Sequence, residues 1–385
     1  MSKQRSSARI LAMFCFTWIL GLGAAALAQA SRQLVIKNES DKIYSGLNIT
    51  TSGKENGVPI DCVVIIDSTN ITIEDSQIGP CGGNGIHIYN SSAPVTSGIY
   101  IFDNYIHTET HDPNPNDCCD NNDGVFVDGT SQVTIQGNVI AYGESNIEAN
   151  GATGTVAGVT VVGNFLLNPR GGNPSYRGQN FQAWDATNVV VLNNYTLSSR
   201  DKTKYLYADD QEDSINFGTG TGFLASHNYI TGGHSPSGCG LIADEGANSI
   251  LFLGNQLFNT GQCGIGIASG NNQLVDHNEL FEAVPISGGG NTAVYVWNQY
   301  SEACGPVAVT HNIATEILKD GTYNSFWYGG GCDPLTRYGN TWDAAAQKLL
   351  TPPETKMPPP LIPPQPRNCV ARSPYSTQTG WPACK

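Results

Sequence analysis

Short runs that alternate apolar and polar residues recur along the chain, and each closes on a small polar residue. Aligned on that residue they read "IYSGLNI", "ITIEDSQI", "IYIFDNYI", "VTIQGNVI", "VTVVGNFL", "VVVLNNYT", "FLASHNYI", "ILFLGNQL", "QLVDHNEL" and "VAVTHNIA". The marked positions are Asn48, Ser76, Asn104, Asn138, Asn164, Asn194, Asn228, Asn255, Asn278 and Asn312, separated by 23 to 34 residues. A fixed repeat of this length marks a solenoid. The period of two, the Val, Ile and Tyr content and the Gly, Asn and Ser breaks make each unit a coil of two or three short strands.

One coil cannot cover both ends of its apolar interior. Stacking coils at about 4.8 Å closes that column and pairs every strand in parallel. Asn at one corner then forms a structural amide ladder, since Asn tolerates left-handed backbone and bonds its neighbours along the stack. His227, His277 and His311 each precede a ladder position and read as surface-facing repeat residues. The aromatic residues Trp184, Tyr295, Trp297, Tyr300, Trp327 and Tyr328 exceed what a narrow aliphatic interior holds, which directs several of them outward.

The ends of the chain differ from the middle. Residues 1–30 carry Lys3, Arg5 and Arg9, then an apolar stretch, then "ALAQA", the layout of a secretory signal peptide cleaved after Ala30. Residues 31–350 form the β-helix domain. Residues 351–385 open with "TPPETKMPPPLIPPQP", a semi-rigid Pro-rich strap carrying Cys369 and Cys384. Removing the signal leaves 16 basic and 33 acidic residues, a charge of −17 that makes nucleic acid a poor partner. No further apolar run is long enough to span a bilayer, so a secreted or periplasmic monomer is expected. Ten cysteines remain, an even number that suits disulfides in an oxidising compartment. Cys239 and Cys263 occupy matching places in consecutive repeats and are expected to pair. Cys62 with Cys81, Cys304 with Cys332 and Cys369 with Cys384 are nearest candidates, leaving Cys118 and Cys119 to bond each other or to exchange with Cys62 and Cys81.

In its repeat the sequence resembles the right-handed parallel β-helix proteins of the pectin-lyase-like group, over roughly residues 34 to 345. The fold expected is an all-β, single-stranded right-handed parallel β-helix of about ten coils. The resemblance implies an outer groove, used in most of that group to bind or cut polysaccharides.

Extra residues leave a coil as loops, where chemistry is often carried. Three gaps of 34 residues follow Asn104, Asn194 and Asn278. The first two bring Asp117, Asp120 and Asp123, then Arg200 and Lys202; between them lie Glu144, Arg170 and Arg177. At one coil per step these groups span roughly 15 Å and would line one groove. Hydrolysis of a glycosidic bond needs two carboxylates in opposite protonation states. "NNDG" and "YGES" resemble stretches that polygalacturonases place on adjacent coils, with Asp123 and Glu144 as the matching carboxylates and Ser145 where a second Asp stands in that family. A lyase would instead use Ca²⁺, held by residues such as Asp117 and Asp120, and a base such as Arg177; "NPSYR" resembles half of the pectate-lyase Arg-x-Pro-x-x-Arg stretch. Arg170, Arg200, Lys202 and Trp184 are the expected substrate contacts. The leading expectation is an exported polysaccharide-cleaving enzyme, hydrolase before lyase, needing no cofactor unless calcium serves. A non-catalytic glycan-binding or surface-structural β-helix is the alternative.

Overall fold

The computed structural model describes residues 32–91, 95–107, 122–170, 178–200 and 211–350. The signal peptide, the Pro-rich strap and Asp117, Cys118, Cys119, Asp120, Arg177, Lys202, Cys369 and Cys384 lie outside the described residues.

Three parallel sheets run the length of the domain. The first has eleven strands, from Leu34–Lys37 to Phe326–Gly330, and the third has eleven, from Asn48–Ile49 to Thr341–Trp342. The second counts twelve because Gly158, at positive φ, divides one coil's strand into Val156–Ala157 and Thr160–Val162. Each coil visits the three sheets in turn, with the right-handed crossover that parallel strands favour. Apart from the hairpin of Lys54–Glu55 with Val58–Pro59, the strand pairings are parallel. Helix Asp343–Leu349 closes the C-terminal end, with Ala346 buried against the last coils.

The ladder holds the corner between the second and third sheets. Asn138 Oδ1 accepts the backbone N–H of Asn104 at 2.9 Å and its Nδ2 at 3.0 Å, while Asn104 Nδ2 also donates to Ile73 O one coil back. The same three bonds recur from coil to coil as far as Asn312, whose acceptor is Asn340. The first coil departs from the expected register: Leu47 donates its N–H to Ser76 Oγ, and Asn48 pairs with Gln77 one place further on. Asn48 is therefore not a rung, and Asn340 is one beyond those expected. The residue before each rung has positive φ, including Asp103, Asn193, His227, His277 and His311. Only Gly or a short polar side chain adopts that conformation readily, which explains the residues found there.

Inward positions are mostly Ile and Val. The middle coils differ: Phe181, Phe217, Phe223 and Phe252 are fully buried, with Phe217 stacked on Phe223 at 4.8 Å and on Phe252 at 6.0 Å. Ala183, Ala186, Ala225 and Ala243 in the same interior give the rings their room. The interior is thus wider here than an aliphatic stack requires. Trp297, Tyr300, Trp327 and Tyr328 face outward as expected, whereas Tyr295 is buried.

Three disulfides join neighbouring coils: Cys62–Cys81, Cys239–Cys263 and Cys304–Cys332, with Cα separations of 5.5, 4.6 and 4.3 Å. Cys239 and Cys263 are register partners in adjacent strands, as the repeat spacing requires. Three such bonds fit an oxidising compartment. Among the described residues no helix is long and apolar enough to cross a membrane.

The third sheet carries an ionisable cluster under the later coils. Glu282 and Glu316 are buried register partners, and Glu282 accepts both the N–H and the hydroxyl of Thr260 at 2.8 Å. Burial pushes Glu282 up to about 7. Burial and then the charge of Glu282 push Glu316 up to about 9. Arg200 opposes both shifts, and its guanidinium donates to Asn259 O at 3.2 Å and Val284 O at 2.8 Å. That bonding makes Arg200 a brace between coils.

Two outcomes test these interactions. Asn194→Ala strips acceptors from Asn164 and a donor from the Val161 carbonyl, so denaturant unfolding should show a loss of about 2–4 kcal/mol. Asn194→Ser, which restores one acceptor as Ser76 does, should lose less. The folded state prefers protonated Glu282 and Glu316, so their contribution is full below the unfolded pKa near 4.5 and declines as pH rises through about 7 and then about 9. Glu316→Gln should flatten the fall in unfolding midpoint across that window; an unchanged pH dependence would count against the assignment.

Candidate active site

The outer face of the first sheet gathers titratable and aromatic groups that are distant in sequence. Strands Ile86–Tyr89, Val125–Asp128, Ile147–Asn150 and Phe181–Trp184 alternate buried and half-buried positions. Inward go Ile86, Val125, Ile147 and Phe181, and outward go two columns in register. One column reads His87, Phe126, Glu148, Gln182 and Asn216, and the other Tyr89, Asp128, Asn150 and Trp184. Each step along a column is one strand spacing, about 4.8 Å. Trp184 lies over Gly218 of the following coil, where a Cβ would come within 2.2 Å of the indole. Further along, Tyr300 donates to Asp244 Oδ1 at 2.7 Å, and Trp297 packs edge-on against Trp327 at 5.6 Å.

His87 is fixed between two carboxylates. Its Nδ1 lies 3.2 Å from Asp61 Oδ2 and its Nε2 lies 3.8 Å from Asp128 Oδ2. The ring packs on Tyr89 at 4.6 Å and on Phe126 at 5.0 Å. Burial works against the imidazolium, but Asp128 and Asp61 outweigh it and raise the His87 pKa. Asp128 moves the opposite way: burial would raise it, yet His87 and the Thr153 hydroxyl hold its carboxyl below the usual range.

One coil on, Glu148 is displaced upward. Burial is the main cause, opposed by hydrogen bonds from Asn150 Nδ2 at 2.9 Å and from Asp123. Asp123 is itself pushed well up, by burial and then by the charges of Glu148 and Glu144, while the Ser145 N–H bond pulls the other way. The two carboxyls lie close enough for each to affect the other's protonation, and burial raises both. The face therefore offers one carboxyl biased toward its protonated form and one biased toward its ionised form, on adjacent strands. That is the division of labour general acid–base chemistry requires.

Of the residues singled out from the sequence, Asp123, Glu144 and Arg170 do meet at one corner, between the third and first sheets. Glu144 N–H donates to Asn122 O at 3.0 Å, and Arg170 N–H donates to Gly143 O at 2.6 Å. Asp123 is not presented to the groove, being 2% exposed. Its Oδ1 accepts the Ser145 N–H at 2.9 Å and its own N–H donates to Asn84 Oδ1 at 2.8 Å, while Asn84 N–H donates to Asp61 Oδ1 at 2.6 Å. Asp213 caps Cys239 N–H in the same way at 2.7 Å. These residues form a second, shorter ladder at the groove's edge, which gives Asp123 a structural duty behind Glu148. Arg170 is buried, and its Nε and Nη2 have no hydrogen-bond partner among the described residues. Arg200 follows the next third-sheet strand at this same corner, but its guanidinium is committed to Asn259 and Val284 of later coils. Trp184, expected as a substrate contact, is half-buried on the outer face of the first sheet.

Sequence reasoning missed Asp61, His87, Asp128 and Glu148. The signal was present in "GIHIY", "GVFVD" and "NIEAN", whose third and fifth positions carry His87 and Tyr89, Phe126 and Asp128, and Glu148 and Asn150 between apolar residues. Among the described residues of this face, no carboxylate cluster is arranged to hold calcium. Asp128, Glu148 and Asp61 are engaged by His87, Thr153, Asn150, Asp123 and Asn84, and Asp117 and Asp120 lie outside the described residues.

No protein-family model matches the chain, and no curated protein matches it in sequence. Among solved structures, the surface protein and adhesin PfbA of Streptococcus pneumoniae is similar at a TM-score of 0.52 and 12% identity, over 79% of this chain and 76% of that one. A mannuronic-acid-specific polysaccharide family 6 lyase from human gut microbiota reaches 0.48 at 13% identity, over 84% and 86%. DFA-IIIase from Arthrobacter chlorophenolicus A6 reaches 0.45 at 12% identity, over 81% and 85%. With its three parallel sheets and the PfbA likeness, the chain has the right-handed parallel β-helix fold of the pectin-lyase-like proteins.

Proposed function

We propose that the protein is an exported carbohydrate-active enzyme that hydrolyses a polysaccharide lying across the outer face of the first sheet. The observation that carries this reading is the pair Asp128 and Glu148, displaced in opposite directions on neighbouring strands of one face. Glu148 is the general acid, held above the usual carboxyl range chiefly by burial, and protonates the leaving oxygen. Asp128 is the carboxylate that activates water, oriented by His87 and Thr153. In this reading Trp184 supplies a plane for a pyranose ring, and Gln182 supplies an amide for hydroxyls. The columns from His87 to Trp327 cross eight strand spacings, about 38 Å, which suits an extended chain better than a disaccharide. The residues between a third-sheet strand and the next first-sheet strand include Asp117, Asp120, Arg177 and Lys202. They remain proposed contacts for substrate or, in a lyase, for calcium and proton abstraction.

The exposed aromatic group of Trp297, Tyr300, Trp327 and Tyr328 favours a second reading, in which the same face binds glycans without cutting them.

A panel of neutral and acidic glycans separates these readings. A hydrolase releases new reducing ends without an unsaturated product; ultraviolet absorbance from such a product identifies a lyase, and binding with neither identifies a glycan-binding protein. With a cleaved substrate in hand, Glu148→Gln and Asp128→Asn should each lower kcat by at least about 10²-fold with little change in KM. Wild-type activity should fall on the acid side as Asp128 protonates, below the usual carboxyl range, and on the basic side as Glu148 loses its proton above it. Glu148→Gln turning over at the wild-type rate would remove this pair from the mechanism.

A further inference from the structure

A second chemically distinct cluster lies at the ladder corner, on strands of the second sheet rather than the groove face. Asp276 ends strand Gln273–Asp276, and His277 and His311 are the positive-φ residues before rungs Asn278 and Asn312. Asp276 Oδ2 is 2.7 Å from His277 Nδ1, and Asp276 Oδ1 is 3.0 Å from His311 Nδ1. The two imidazoles stack at 4.8 Å, and the ring of Tyr338 packs edge-on against His311. Thr310 donates its hydroxyl to Asp276 Oδ1 at 2.6 Å, holding the carboxylate from behind. One donor atom from each of Asp276, His277 and His311 falls within 4.8 Å of the others.

From this geometry we propose that Asp276, His277 and His311 form a zinc site that ties two consecutive coils together. Ligand atoms about 2.0–2.1 Å from a tetrahedral or octahedral ion are about 2.9–3.3 Å from one another, close to the separations seen between the carboxylate and the two Nδ1 atoms. Imidazole with carboxylate is a donor set for zinc-like ions, not for calcium or magnesium. Each neutral imidazole would ligate through its Nδ1 lone pair with the ring proton on Nε2, and water completes the coordination. The repeat explains why, among the described residues, such a site occurs only here. The rung-preceding residue between His227 and His277 is Gly254, which leaves His227 two coils, about 9.6 Å, from the next imidazole. His227 bonds Ser226 Oγ at 2.6 Å in place of a carboxylate.

The test is calorimetric titration of ZnCl₂ into the untagged, metal-stripped chain, followed by thermal unfolding with and without zinc. Asn occupies the same positive-φ position at Asn193, so His277→Asn and His311→Asn should keep the backbone intact. The wild type should bind one zinc ion at this site and unfold at a higher temperature with zinc. Each variant should bind at least about tenfold more weakly and lose the zinc-dependent shift, whereas His227→Asn should behave as wild type. Zinc binding that persists at full strength in both variants, or a wild type that neither binds nor shifts, would overturn the proposal. MgCl₂ in place of ZnCl₂ should produce no comparable shift; an equal response would also overturn it.

Discussion

Every feature of this molecule depends on one hydrogen-bond arrangement, in which a side-chain oxygen on one coil accepts the backbone N–H of the coil before it. A parallel sheet leaves its corners without ladder bonds, and in a narrow β-helix those corners are buried. The Asn side chain bonds four groups at once there: its oxygen takes a backbone N–H and an amide from one neighbour, and its nitrogen donates to a carbonyl on that same side and to the next rung's oxygen on the other. Because each rung is fixed to both neighbours, the spacing of coils is set, and with it the distance between any two outward side chains in a column.

The groove inherits its chemistry from that spacing. Asp61, Asn84 and Asp123 are rungs of the shorter ladder, and the acids among them also meet the outward columns: Asp61 at His87 and Asp123 at Glu148. A residue that satisfies the backbone at the edge of the sheet thereby sets the protonation of a residue on its face. Burying a carboxyl beside two others is unfavourable, and the neighbouring strand bonds are what hold it there. The buried Glu282 and Glu316 show the same elevated pKa without an open face beside them, so a raised pKa by itself does not mark the site.

Much of the fold was legible in the sequence because the repeat has a physical period. Asn at one offset, preceded by Gly, Asp, Asn or His, encodes a positive-φ corner, and the Cys239–Cys263 pair follows from the register. Asn48 misled because an Asn one place late matches the pattern "IYSGLNI" as well as a true rung does, and only the pairing of Leu47 with Ser76 shows the difference. Glu148, His87 and Asp128 were not legible in the same way. Alignment on the Asn strand draws attention to loops, whereas these residues lie on the strands of another sheet, where single polar positions look like ordinary outward residues until columns are read across coils. The phenylalanine stack was hidden for a related reason: the alanines that make room for it lie on different strands.

The central claim is that winding places Glu148, Asp128, His87 and Trp184 together as one saccharide-binding face. A crystal structure of the Glu148→Gln variant with a bound oligosaccharide tests it most directly. The account predicts sugar rings crossing the strands of the first sheet, with one stacked on Trp184 and a glycosidic oxygen beside residue 148. Sugar bound against the second or third sheet, with the His87-to-Trp184 face bare, would contradict it.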